Sequence, residues 1–442
     1  MGVSEPPPSA QAAPPSTSAR ALAFNTLSAV LEQKRPLEEV LEFNSDRDSL
    51  APRDRAFARL LVATTLRRLG QIDRIIDGCL DKPLPRRAAA ARQLLRLGIS
   101  QLLFLGTPPH AAVDTTVELI AARGAEAGFK GLINAVLRRV DRERTAWLEQ
   151  TADPSLNAPA WLWESWVATY GADRARAIAA AHLREPPLDL TTKSDAAGWR
   201  DRLGAALLPT GSLRLPLDGL IESLPGFAEG AWWVQDAAAA LPARLLGDIA
   251  GQRVIDLCAA PGGKTAQLAA AGASVIAVDR SAPRLERLHG NLTRLGLHAT
   301  TVVADATIWR PDRPADAVLL DAPCSATGTI RRHPDVPWLK RPEDVAKLVA
   351  LQGRLLQAAI AMVRPGGVIV FCTCSLQPEE GSAPIAALLR DGAPVERLPI
   401  QPSEVGGLDA LIDADGDLRT LPCHLSEQGG IDGFFAARLR RR

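Results

Sequence analysis

Two short runs in this 442-residue chain place a cysteine where it could attack another molecule. Asp321-Ala-Pro-Cys324 follows the apolar Ala317-Val-Leu-Leu320, and Thr373-Cys374-Ser375 closes the apolar Val368-Ile-Val-Phe-Cys372. A cysteine becomes a nucleophile only as its thiolate. Other uses of cysteine fit less well, because the six cysteines (79, 258, 324, 372, 374 and 423) are too sparse for a disulfide scaffold and form no C-x-x-C pair of the zinc type. His110, His182 and His424 have no partners at ligand spacing, so no metal is expected. Cys79 and Cys423 read as packing residues.

A third run, Asp256-Leu-Cys-Ala-Ala-Pro-Gly-Gly-Lys-Thr265, leaves a strand and opens a helix. Its Gly-Gly-Lys-Thr tail suggests a phosphate-cradling loop, but Cys258 stands where that loop needs its first glycine. The spaced glycines of a dinucleotide fold are absent as well. What remains is a tight turn lined by Asp256, with Asp279 ending the next strand, where a carboxylate can take both ribose hydroxyls, and Asp305 ending the third, placed to meet an adenine edge. That set suits an adenosyl cofactor.

These residues need a frame that brings them to one edge. Short β-rich runs recur at residues 253–259, 273–279, 300–305, 316–324 and 367–375, separated by helical stretches, the longest from Pro342 to Val363. Alternation of this kind implies a doubly wound parallel sheet whose ligands lie beyond the carboxyl ends of the strands. Ahead of it, residues 151–248 read as a small α+β linker domain holding tryptophans 161, 163, 166, 199, 232 and 233, with a turn and then a helix opening at Gln235 and Asp236 within 230–247. Residues 20–150 read as a helical bundle. Leu69, Ile72, Ile75, Ile76, Cys79 and Leu80 form one stripe at helical spacing, and Phe129, Leu132, Ile133, Val136, Leu137 and Val140 form another. The first 19 residues, crowded with Pro, Ser and Ala, read as a tail without the apolar core of a signal peptide.

Net charge is +1, yet residues 20–150 carry a surplus of Lys and Arg, which fits a phosphate-bearing partner. No run of 18 consecutive apolar residues occurs, so a cytoplasmic protein without membrane attachment is expected.

The runs DLCAAPGGKT, LLDAPCSATGT (319–329) and TCS (373–375) resemble the signature motifs of the RNA 5-cytosine methyltransferases. In the front half, PRDRAFARLLVATTLRR (52–68) and FKGLINAVLRRV (129–140) resemble the NusB-like RNA-binding domain. The pairing is similar to the bacterial RsmB (Fmu/Sun) family, whose members methylate a cytosine of small-subunit ribosomal RNA. The resemblance implies an all-α NusB-like bundle (20–150), the α+β domain (151–248) and a Rossmann-like α/β methyltransferase domain (249–442) that uses S-adenosylmethionine and RNA. It assigns cofactor contact to Cys258, Ala259, Ala260, Pro261, Gly262, Gly263, Lys264, Asp279, Asp305 and Asp321, and catalysis to Cys374, Cys324 and Asp321.

The chemistry accounts for these types. Cytosine C5 attacks a methyl sulfonium only after a thiolate has added at C6. The Pro-Cys324 pair is the arrangement of DNA cytosine enzymes, whereas Thr-Cys374-Ser is that of the RNA family, so attack is assigned to Cys374 and proton removal or release to Cys324. Asp321 would hydrogen-bond the N3 and N4 edge. Cys372 is expected to be idle, and Cys258, although within the cofactor loop, packs. Arg331, Arg332, His333, Lys340 and Arg341 are expected to meet RNA phosphates, Glu379 and Glu380 to cap the following helix, and the protein to work as a monomer. The alternatives are an RNA-binding or chaperone protein whose methyltransferase half is inactive, and a methyltransferase that acts on another RNA.

Overall fold

The computed structural model describes residues 18–43, 50–216 and 219–442. The expected tail at 1–19 thus lies, up to Thr17, outside the described residues. The chain forms two compact units, Met1–Asn157 and Ala158–Arg442.

The first unit is helical: α1 (Ala19–Leu31), α2 (Leu37–Glu42), α3 (Pro52–Arg67), α4 (Leu69–Cys79), α5 (Ala89–Leu103), α6 (Pro109–Ala121), α7 (Lys130–Arg142) and α8 (Arg144–Gln150). The two apolar stripes do what their spacing implies. Leu69, Ile72, Ile75 and Ile76 of α4 are buried, as are Ile133, Val136, Leu137 and Val140 of α7, and both helices pack on α5. Apolar burial on this scale is the main source of stability in a bundle whose helices carry few side-chain caps.

The second unit begins with the helix pair α9 (Ala160–Tyr170) and α10 (Ala172–His182). Four short strands follow, β1 (Leu188–Thr192), β2 (Ala206–Leu207), β3 (Leu213–Leu215) and β4 (Trp232–Val234), with α11 (Ala196–Leu203) inserted after β1. They pair antiparallel in the order β2-β3-β1-β4. The helix expected to open at Gln235 and Asp236 is not there. Trp232 and Trp233 are buried and pair as a strand with Thr192 and Thr191, Gln235 accepts from Trp233 Nε1 at 2.9 Å, and the helical segment is only α12 (Leu241–Arg244).

The remaining chain builds one eight-stranded sheet. Its elements in order are β5 (Arg253–Leu257), α13 (Gly263–Ala270), β6 (Ser274–Asp279), α14 (Ala282–Leu295), β7 (Thr300–Val303), β8 (Ala315–Asp321), α15 (Val336–Leu339), α16 (Pro342–Met362), β9 (Val363–Thr373), α17 (Ser382–Arg390), β10 (Val395–Arg397), β11 (Leu418–Thr420) and β12 (Phe434–Arg441). Strand order is β10-β12-β9-β8-β5-β6-β7, with β11 on β12. The five strands expected from the sequence run parallel; β12 adds an antiparallel member beside β9. Both faces are covered, one by α16 and α17 and the other by α12, α13 and α14, which is why the parallel strands read as unbroken apolar runs. By length and composition α16 could also cross a membrane, but its Leu355, Leu356 and Ala359 are buried against the sheet. Strand order reverses between β5 and β8, the crevice where open α/β sheets bind ligands.

Candidate active site

Five loops leave the carboxyl edge of the parallel strands. After β5 the chain turns sharply through Cys258, at φ +61°, and the cis Ala260-Pro261 peptide. Gly262 then sits at φ +105°, and a Cβ there would lie 2.7 Å from Leu288 Cγ of α14, so both conformation and contact demand glycine. Asp279 at the end of β6 locks this turn from the side. Its Oδ2 accepts from the Ala260 amide at 3.2 Å and its Oδ1 from the Ser281 amide at 2.9 Å. Asp305, beyond β7, is exposed, and the hydroxyl and amide of Thr307 hold its carboxyl below the usual range.

Asp256 does not line the turn. It is fully buried one residue before the end of β5 and accepts from Thr265 Oγ1 of α13 at 2.6 Å. Burial pushes its carboxyl up to about 7. Lys264 is not a solvated helix-start lysine: it is buried, with Nζ 2.7 Å from Asp321 Oδ2 and over the ring of Phe434 on β12. Burial opposes its charge most, but the Asp321 carboxylate together with the nearby sulfurs of Cys372 and Cys374 outweighs that and leaves its pKa raised.

Asp321 ends β8, and the loop beyond it carries Cys324. Cys374 is the first residue past β9, the strand hydrogen-bonded to β8. The two thiols meet, with Sγ to Sγ 3.4 Å. Cys372 turns elsewhere: it is buried, its Sγ reaches Asp321 Oδ1 at 3.5 Å, and burial first and the Asp321 charge second push its thiol well up. Cys258 is half-buried and its thiol is pushed up to about 12, mainly by burial. Cys79 and Cys423 are half-buried too.

Two further expectations fail here. Arg331 and Arg332 do not face outward to phosphates. Arg331 is 1% exposed, 3.3 Å from Asp432 and 3.5 Å from Asp236, and Arg332 lies 2.6 Å from Asp236 and 3.0 Å from Asp432. Both guanidiniums are consumed in tying the loop after β8 to the chain ahead of α12 and of β12. His333 and Arg341 are exposed and Lys340 half-exposed. Glu380 does not cap α17, whose N-cap makes no side-chain bond. It is fully buried and accepts from Ser325 and Ser375, the residues that follow the two cysteines.

The arrangement puts two sulfurs in contact and a lysine-held carboxylate at the crevice of the sheet, next to a tight glycine turn. Comparison with known proteins places this geometry. Residues 243–440 match the family model described as 16S rRNA methyltransferase RsmB/F, and residues 17–142 match the NusB family. The ribosomal RNA small subunit methyltransferase B of Salmonella arizonae is 38% identical over 388 residues, covering 84% of this chain and 90% of that protein. Among solved structures, the crystal structure of PH0851 shares the fold at TM-score 0.73 and 22% identity, covering 97% of this chain and all of that one. A methyltransferase homologue from Pyrococcus horikoshii superimposes at TM-score 0.53 with 27% identity, covering 63% of this chain and 94% of that one. With a NusB-type helical region ahead of a methyltransferase sheet, the chain belongs to the RsmB/F family of 16S ribosomal RNA methyltransferases.

Proposed function

We propose that the protein methylates C5 of a cytosine in 16S ribosomal RNA through a covalent adduct on Cys374. The observation that carries this reading is the contact of the Cys324 and Cys374 sulfurs, 3.4 Å apart at the ends of β8 and β9. S-adenosylmethionine supplies the methyl group as a sulfonium electrophile. Cys374 adds to C6 and so turns C5 into an enamine carbon. Once C5 carries its methyl group, its proton leaves, the S–C6 bond breaks and the electron pair returns to the C5–C6 double bond.

Cys324 is suited to the proton step. The hydrogen bond with Cys374, burial, and the charges of Cys374 and Glu380 raise its pKa. A thiolate formed there by loss of its proton to solvent is therefore a strong base for the C5 proton, which it takes to become a thiol again. Asp321, fixed by Lys264, serves the N3 and N4 edge of the base. Cys372, buried in the core, is idle.

The residues present fit an adenosyl group. Residues 258–264 offer a turn without obstructing side chains at Gly262 and Gly263, and Asp279 holds a carboxylate for the ribose hydroxyls. Beside Asp305, Val303 and Ile308 are 60% and 78% exposed, apolar surface that a purine would cover. RNA affinity is assigned to residues 20–150. The target cytosine must be splayed from its helix before a thiol can reach it. All residues invoked lie on one chain, so a monomer in the cytoplasm suffices. Bisulfite sequencing of 16S ribosomal RNA from cells with the gene, without it, and with Cys374→Ala tests the reading. One cytosine should be protected only with the intact gene; an unchanged pattern in all three would contradict it.

A further inference from the structure

Glu380 holds the residues beside both cysteines at once. Its two carboxylate oxygens accept from the Ser325 amide at 2.9 and 3.2 Å, and Oε2 also accepts from the hydroxyls of Ser325 and Ser375, the latter at 2.6 Å. Gln352 of α16 donates to Glu380 Oε1 at 3.2 Å and to the carbonyl of Pro323 at 2.8 Å. The Glu380 carbonyl accepts from Thr373 Oγ1 at 2.9 Å. Residues 323 and 325 on either side of Cys324, and 373 and 375 on either side of Cys374, are therefore all tied to Glu380 or to its partner Gln352. Every one of these bonding partners is uncharged, and the Glu380 side chain is wholly buried.

A buried carboxylate served only by neutral donors is costly unless each bond is made. A merely structural link between two loops would be met more cheaply by an amide or a hydroxyl. A carboxylate differs in having two acceptor oxygens and no donor, so it can gather the hydroxyls and the amide of two separate loops onto one point. We propose that Glu380 is the positioning residue that sets the distance between the Cys324 and Cys374 sulfurs, and hence the hand-over from attack to release. This rests on the reading of the two cysteines as a working pair. Glu380→Gln keeps the volume but turns one acceptor into a donor that faces the Ser325 N–H; Glu380→Ala removes the junction.

The test uses the full chain and two independent readouts. The first is geometric and needs no substrate: diamide takes the two thiol hydrogens and is reduced to the hydrazine as the Cys324–Cys374 disulfide forms, and peptide mass mapping follows its rate. The second is the fraction of enzyme held as a denaturation-resistant RNA adduct during turnover, alongside kcat and the KM for S-adenosylmethionine. Glu380→Gln should slow both cross-linking and kcat on the order of tenfold and Glu380→Ala on the order of a hundredfold, with an altered adduct fraction and an unchanged KM for the methyl donor. Cross-linking at the intact rate in both variants overturns the proposal. Slower cross-linking with unchanged turnover upholds the positioning of the thiols but refutes their pairing in the reaction. S-adenosylhomocysteine binding reports folding, and if Glu380→Ala loses it, Glu380→Gln decides alone.

Discussion

The loops after β5, β6 and β7 and those after β8 and β9 share one edge of the sheet but are fixed by different means. In the first group, carboxylates are set by amides and hydroxyls close by: Asp279 by the amides of Ala260 and Ser281, Asp305 by Thr307. In the second, side chains far apart in sequence hold one another inside the protein: Glu380 holds Ser325, and Asp236 and Asp432 hold Arg331 and Arg332. Asp305 stays open to solvent, while Asp279 is buried but set by backbone amides alone at its hydrogen bonds. On the proposed mechanism two sulfurs act in turn at the adjacent carbons C6 and C5, which calls for over-determined positions, and buried polar networks supply those.

That contrast can be broken at several points. The largest effect is expected in the second group: Arg332→Met leaves Asp236 and Asp432 short of a partner and should cost about 3–5 kcal/mol in urea unfolding. The salt dependence of RNA affinity should stay as it was; a stable variant with a shallower salt slope would instead put Arg332 on the RNA backbone. Next comes Gly262→Ala, which drives a Cβ against Leu288 at positive φ and should lose roughly 1–3 kcal/mol. Adding Leu288→Ala should cost less than the sum of the two single changes, whereas strict additivity would deny the contact. Asp279→Ala should weaken S-adenosylmethionine binding by roughly 1–3 kcal/mol in calorimetry, and intact affinity would remove Asp279 from the cofactor site.

The remaining break concerns pH. Burial raises the Asp256 carboxyl to about 7, above the unfolded value near 4. The stability it contributes is thus complete below about pH 4 and is lost as pH rises through about 7. Asp256→Asn cannot ionise, so its unfolding midpoint should improve relative to the parent between about pH 4.5 and pH 7.5. A difference that does not change with pH would mean that the carboxyl is not held neutral.

What could be read from the sequence follows the same division. The glycines, the strand-end aspartates and the helical stripes of α4 and α7 act through local backbone geometry or a fixed period, so their spacing carries the signal. Glu380 reads as a helix cap because two of its three side-chain partners, Ser325 and Gln352, are remote in the chain, and only Ser375 is near. Arg331 and Arg332 looked like a basic patch because Asp236 and Asp432 lie far away in sequence. The strand β12 was missed as well, although Phe434, Phe435, Ala436 and Ala437 are all buried and Phe434 covers Lys264. Its unbroken apolar start in Gly433-Phe-Phe-Ala-Ala437 was the available sign. Trp232 and Trp233 form a strand rather than the turn before a helix because these strand-favouring side chains, with Val234, pair with β1.

The central claim is that Cys374 bonds to the base while Cys324 moves the proton. It is tested most directly by RNA carrying 5-fluorocytosine at the target position, where fluorine replaces the proton that must leave and the covalent species cannot be released. Incubation with the protein and S-adenosylmethionine, followed by protease digestion and mass mapping, locates the bond. The nucleotide should be found on the peptide that contains Cys374, with Cys324 and Cys372 unmodified. A nucleotide attached to Cys324 or Cys372 would contradict the account.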